Sequence, residues 1–140
     1  VALYARQLAW LQHRPEKTGK ASEDKTPEPT RFEQITAKGG TPVLPPVEAQ
    51  HVIAWLHQLG WCMPSGMGIG PLPATEIEAW ARLSQTPVDP WEFDALRAGS
   101  SAYAAQSSND TPQAPWGEQE QHKPKVAGAF AALAKKVNGK

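Results

Sequence analysis

Residues 75–103, TEIEAWARLSQTPVDPWEFDALRAGSSAY, decide the fold. Thr75 is a suitable N-cap, and Ile77, Trp80, Ala81 and Leu83 continue a helix until Pro87 intervenes. Asp89-Pro90-Trp91-Glu92 restarts one, with Asp at the N-cap, Pro at the first helical position and Glu at the positive end of the helix dipole. Phe93, Leu96 and Tyr103 line one face of this second helix, whose middle Gly99 weakens by about 1 kcal/mol relative to alanine. No strand-like alternation of useful length appears anywhere in the chain, which points to an all-α fold.

Outward from this pair the pattern alternates between short helices and proline-rich stretches. Val47, Val52, Ile53, Leu56 and Leu59 make one face of a helix over residues 46–59, with Pro46 at its start, Trp55 at its edge and Gly60 as C-cap. Residues 61–71, with Gly66, Gly68 and Gly70 set among prolines and apolar side chains, read as a loop able to lie against a core or a partner. Leu3, Tyr4, Leu8 and Leu11 predict a first helix over 2–14 that Pro15 stops. Between them Pro27, Pro29, Pro42, Pro45 and Pro46 mark a linker, although Phe32 and Ile35, three apart, are compatible with one helical turn over 32–37. Phe130, Leu133 and Val137 predict a closing amphipathic helix with Lys135, Lys136 and Lys140 near its negative end.

The expected organisation is therefore an N-terminal helix (1–14), a Pro/Lys/Glu-rich linker (15–45), a helical core domain (46–105), a disordered linker (106–125) and a C-terminal amphipathic helix (126–140). That is an all-α fold of about four to five short helices joined by Pro-rich linkers and flexible segments. With 140 residues and 14 prolines there is material for one modest core, so each core side chain counts for more than in a large domain.

Charge and composition narrow the function classes. Fourteen basic residues balance 14 acidic ones, which leaves no electrostatic footprint for a nucleic-acid backbone or an anionic membrane, and near-neutrality favours association with a partner or with further copies of the chain. Cys62 is the single cysteine and no Cys/His cluster has zinc-site spacing, so a reducing cytosol fits and neither disulfide, metal nor cofactor is expected. No apolar run approaches the ~20 residues of a membrane span, and the first residues lack signal-peptide order. The chain begins with Val1, which leaves an alternative start codon and a missing leader equally open.

Candidate chemistry is sparse. Gly66-Met67-Gly68-Ile69-Gly70 lacks the preceding strand and the following Lys or Ser/Thr of a phosphate loop. His51 and His57, six apart on one helix, point to different faces rather than to a shared metal. Cys62 has no basic neighbour in sequence, Ser65 has no nucleophile-elbow frame, and the pairs Glu76/Glu78 and Glu92/Asp94 do not stand side by side on a helix. No catalytic residue is expected. The remaining signal is aromatic: Trp55, Trp61, Trp80 and Trp91 crowd a short segment, more than its core is expected to hide. The expected protein-binding residues are Trp55, Trp61, Met67, Trp80, Trp91 and Tyr103, with Ile77, Leu83, Phe93 and Leu96 holding the core.

Over roughly residues 59–105 the order resembles the tail assembly chaperones of long-tailed phages. The resemblance rests on Glu76-Ile77, then Ala79-Trp80, Arg82-Leu83, a short turn, Pro90-Trp91-Glu92, and Ser100-Ser101-Ala102-Tyr103. Gly99 departs from the pattern, which usually has a bulky apolar residue there, and the Pro-rich stretches 15–46 and 107–125 have no matching segment. The resemblance implies a non-enzymatic helical protein of the host cytoplasm that coats the tape measure protein, keeps it soluble, helps recruit tail tube protein and is lost from the finished virion; many such proteins are also made in a second, frameshifted form. The same features also suit a small phage or mobile-element protein that inhibits a host factor, and a structural tail or head completion component. A helix-turn-helix DNA binder is disfavoured because the last core helix offers only Arg97 as a cation.

Overall fold

The computed structural model describes residues 1–17, 19 and 25–117, and the helix expected over 126–140 lies outside them. Among the described residues the order is α1 (Ala2–Gln12), α2 (Arg31–Ala37), α3 (Gln50–Leu59), β1 (Met63–Ser65), β2 (Gly68–Gly70), α4 (Ala74–Ser84) and α5 (Pro90–Ser107). The protein is mostly helical, and the all-α expectation is corrected by the small antiparallel hairpin of β1 and β2.

That hairpin replaces the expected loop, for a local reason. Met63 pairs with Gly70, Pro64 with Ile69 and Ser65 with Gly68, which leaves Gly66-Met67 as a two-residue turn. Gly66 has φ +54°, the positive value that the tightest hairpin turns require at their first central position. Two strands of three residues are not stable alone. This pair is clamped from outside by Ser100 of α5, whose Oγ donates to Trp61 C=O at 2.8 Å and accepts the Leu72 N–H at 2.7 Å. One fully buried hydroxyl thus ties both ends of the hairpin to α5.

α5 owes its start to Glu92, which accepts the Asp89 N–H at 2.7 Å, with Pro90 in the first turn. α4 begins one residue before the expected Thr75 cap, at Ala74 with Pro73 as N-cap, and stops at Gln85 in the left-handed conformation. α3 begins at Gln50 and not at Pro46, with Ala49 as N-cap and no side-chain cap. α2 forms inside the proline-rich stretch because Thr30 and Glu33 make a reciprocal capping box, Glu33 N–H to Thr30 Oγ1 at 3.2 Å and Thr30 N–H to Glu33 Oε2 at 2.7 Å.

The core is built from Ala5 of α1, Val52, Ile53 and Leu56 of α3, Trp61, Leu72, Ile77 of α4 and Leu96 of α5. Full burial of a side chain such as Leu56 or Leu96 contributes about 1.5–3 kcal/mol. Where α1, α3 and α5 meet, Gly99 makes their approach possible. A Cβ there would lie 2.8 Å from Leu56 Cδ1 and 2.9 Å from Val1 Cγ1. The departure from the bulky residue expected at this position is thus a packing solution. Gly99→Ala is expected to be close to neutral, because about 1 kcal/mol of helix propensity offsets a shift of those two methyls. Gly99→Ile is expected to destabilise by about 1–3 kcal/mol through overpacking, measured as a lowered urea midpoint with unchanged slope.

A second buried cluster lies on the other side of α1. Fully buried Gln7 donates to Val43 C=O at 3.2 Å and accepts the Trp116 N–H at 3.0 Å. Trp10 Nε1 donates to Thr111 C=O at 2.9 Å. Residues 108–117 therefore run back along α1 as a packed return segment. Arg31, only 7% exposed, opens α2, stacks over Trp10 at 5.0 Å and pairs with Asp110 at 2.6 Å.

Candidate partner-binding surface

The aromatic side chains divide into two groups with different surroundings. Trp61 is buried and stacked between Tyr4 of α1 at 6.1 Å and Tyr103 of α5 at 5.5 Å. His57 closes this group, its ring 5.1 Å from that of Trp61, whose Nε1 donates to His57 Nδ1 at 3.3 Å. The Tyr103 hydroxyl donates to Gln12, and burial pushes its pKa up. This group joins α1 to α5, with Trp61 buried, Tyr4 and Tyr103 half-buried and His57 exposed at its edge.

The other group spans three helices. His51 of α3 sits edge-on to Trp55, 5.0 Å away and one turn further along, and edge-on to Trp91 of α5 at 5.7 Å. Trp55 meets Trp80 of α4 at 5.6 Å. On α4, Leu83 follows Trp80 by three positions, so the two share a face. Trp91, His51, Trp55, Trp80 and Leu83 thus form one ridge crossing α5, α3 and α4. Trp55 and Trp80 are half-buried, whereas Trp91 is 53% exposed and Leu83 82% exposed.

Glu92 fixes the geometry of this ridge. Its Oε2 caps α5, and its Oε1 lies 2.8 Å from His51 Nε2, so one nearly buried carboxylate orients both the helix carrying Trp91 and the imidazole on which Trp91 leans. An aromatic surface held in this way needs little ordering when it meets a partner, which lowers the cost of binding.

Of the six side chains expected to bind, Trp55, Trp80 and Trp91 come together on the ridge, buried Trp61 stacks on half-buried Tyr103, and Met67 stands apart, fully exposed at the hairpin turn. Ile77 and Leu96 are buried as expected and Phe93 packs partly against the core. Leu83 is corrected: six residues from Ile77 on the same helix, it falls well off the buried face and projects into solvent. His51 and Glu92 are participants that sequence reading left out. The spacing of His51 and Trp55, one helical turn, was the available signal for the first.

Burial raises the Cys62 pKa, which favours its thiol form. No group of three His, Cys, Asp or Glu side chains converges among the described residues, and no described helix is long and apolar enough to cross a membrane.

Comparison with known proteins agrees with the motifs. No curated protein and no solved structure matches the chain. A family profile described as phage tail assembly chaperone matches residues 24–98. That match takes in α2 and the proline-rich stretch before α3, a region where the sequence resemblance found no counterpart, and it includes every side chain of the ridge. Covering more than half of the 140 residues, it shows that the chain belongs to the phage tail assembly chaperone family.

Proposed function

We propose that this protein works without catalysis in the host cytoplasm, covers the apolar stripes of the tape measure protein while the tail is built, helps recruit tail tube protein, and is absent from the finished virion. The observation that carries this reading is the ridge: large apolar side chains exposed to solvent on a well-anchored body are a recurrent mark of a protein-binding face. A long helical partner rich in apolar side chains aggregates when made alone, and a groove or ridge that covers part of each apolar stripe keeps it dissolved.

The test is expression of the tape measure protein of the same phage, with and without this chain. The expected result is a several-fold larger soluble fraction of tape measure protein in its presence, and recovery of the two together on a tag carried by either. Equal solubility in both cultures, with no co-recovery, would overturn the proposal.

A further inference from the structure

We infer that the partner segment docking on the ridge is an amphipathic helix whose apolar stripe is flanked by lysine and arginine. The inference rests on the chaperone reading for the identity of the protein that carries the segment, and on the charge around the ridge for its chemistry.

Although the whole chain is neutral, its charges are segregated. Residues 46–105 carry Glu48, Glu76, Glu78, Asp89, Glu92 and Asp94 against Arg82 and Arg97, and no lysine occurs between Lys38 and Lys123. The ridge lies within this acidic portion. Glu76, Trp80 and Leu83 recur at four and three positions along α4, and Trp91 and Asp94 are three apart on α5, so exposed carboxylates flank the apolar side chains on both helices. Glu48, two residues before the first residue of α3, is exposed as well. Glu92, by contrast, is engaged with His51 and the Asp89 N–H and adds nothing to this outer rim.

The two arginines lie off the ridge. Arg82 is two positions from Trp80, about 200° around the helix, and Arg97 is six from Trp91 and sits 6.0 Å over Phe93. What a docking helix meets is thus an apolar strip with carboxylates along its rim. A basic rim on that helix is attracted to it, and lysine or arginine stems can also lie along tryptophan faces, whereas an acidic rim is repelled.

The probes are two synthetic helical peptides with the same leucine stripe, one flanked by Lys/Arg and the other by Glu, titrated against the full-length protein. The basic peptide is expected to bind on the order of tenfold more tightly at low salt, with the preference shrinking as salt screens the rim. Glu76→Lys together with Asp94→Lys is expected to abolish or reverse the preference, while Arg82→Gln leaves it intact; circular dichroism confirms that each variant is folded. Equal binding of the two peptides, or a preference untouched by the Glu76/Asp94 pair, overturns the inference. If the basic peptide is preferred but the tape measure protein is not kept soluble, this assignment stands and the chaperone reading falls. If the tape measure protein is kept soluble with no peptide preference, the reverse holds.

Discussion

Ser100→Ala is expected to lower stability by about 2–4 kcal/mol, because it leaves two buried backbone groups, the Leu72 N–H and the Trp61 C=O, without partners. For a domain of this size that corresponds to a fall of roughly 10–20 °C in Tm. The neighbouring Ser101 is exposed, so Ser101→Ala is the matched control and is expected to leave Tm unchanged. Thermal unfolding followed by circular dichroism reads both. A Tm for Ser100→Ala within about 2 °C of the parent would mean that the clamp between hairpin and α5 contributes little. Because Trp61 lies between Tyr4 and Tyr103, loosening the clamp is also expected to weaken the near-ultraviolet signal of that stack before the helices melt. The serine of the Ser-Ser-Ala-Tyr motif is thus explained by the hairpin, and its tyrosine by the stack.

Arg31→Ala is the second large effect. The substitution removes the pair with Asp110, the 3.4 Å bond to Trp10 C=O and the guanidinium over the Trp10 ring. Asp110 is 36% exposed, so solvent screens the pair and most of the loss comes from Trp10 and the packing it holds. A cost of about 2–3 kcal/mol is expected. Its signature is local. The return segment 108–117 loses its anchor, so amide exchange at residues 111–116 and proteolytic cleavage there should increase well before global unfolding. Arg31→Lys is expected to recover little, since a point charge replaces neither the fork nor the stacking plane. Unchanged exchange across 111–116 in Arg31→Ala would contradict this account of the segment.

The same site sets an acid limit. The Asp110 pKa is held below its usual value, chiefly by the Glu16 backbone N–H and further by the Arg31 hydrogen bond and charge and by His13, against an opposing effect of burial. A carboxylate whose folded-state pKa is depressed stabilises the fold above its unfolded value, about 3.9, and loses that contribution as pH falls through the folded value. The stability gap between the parent and Asp110→Asn is therefore expected to close as pH falls below about 4.

How much of this was legible in the sequence follows from how local each cause is. α1 and α5 could be read because apolar spacing and the Asp-Pro-Trp-Glu start are contained in the elements themselves. The hairpin was missed because its strands are three residues long, carry no apolar alternation and depend on Ser100, 28 positions beyond Leu72. Residues 108–117 are polar and proline-bearing, and what packs them is distant: Gln7, Trp10 and Arg31. On the ridge, the three tryptophans could be picked out by residue type. Their union with one another, and the parting of Trp61 and Tyr103 into a separate stack, depend on how α3, α4 and α5 cross. Leu83 shows the limit in small: being apolar in a helix says nothing about its face until the buried face is fixed by Ile77.

The central claim is that the ridge of Trp91, His51, Trp55, Trp80 and Leu83 is where the tape measure protein docks. Its most direct test is co-purification of tape measure protein from co-expressing cells with the parent chain and with the double variant Trp91→Ser, Leu83→Ser. Both positions are largely exposed, so the variant is expected to stay folded. The account predicts at least a tenfold loss of bound tape measure protein with a helical spectrum unchanged, as expected for removal of two interface anchors at about 1–2 kcal/mol each. Retention of tape measure protein at the parent's yield, by a folded double variant, would contradict it.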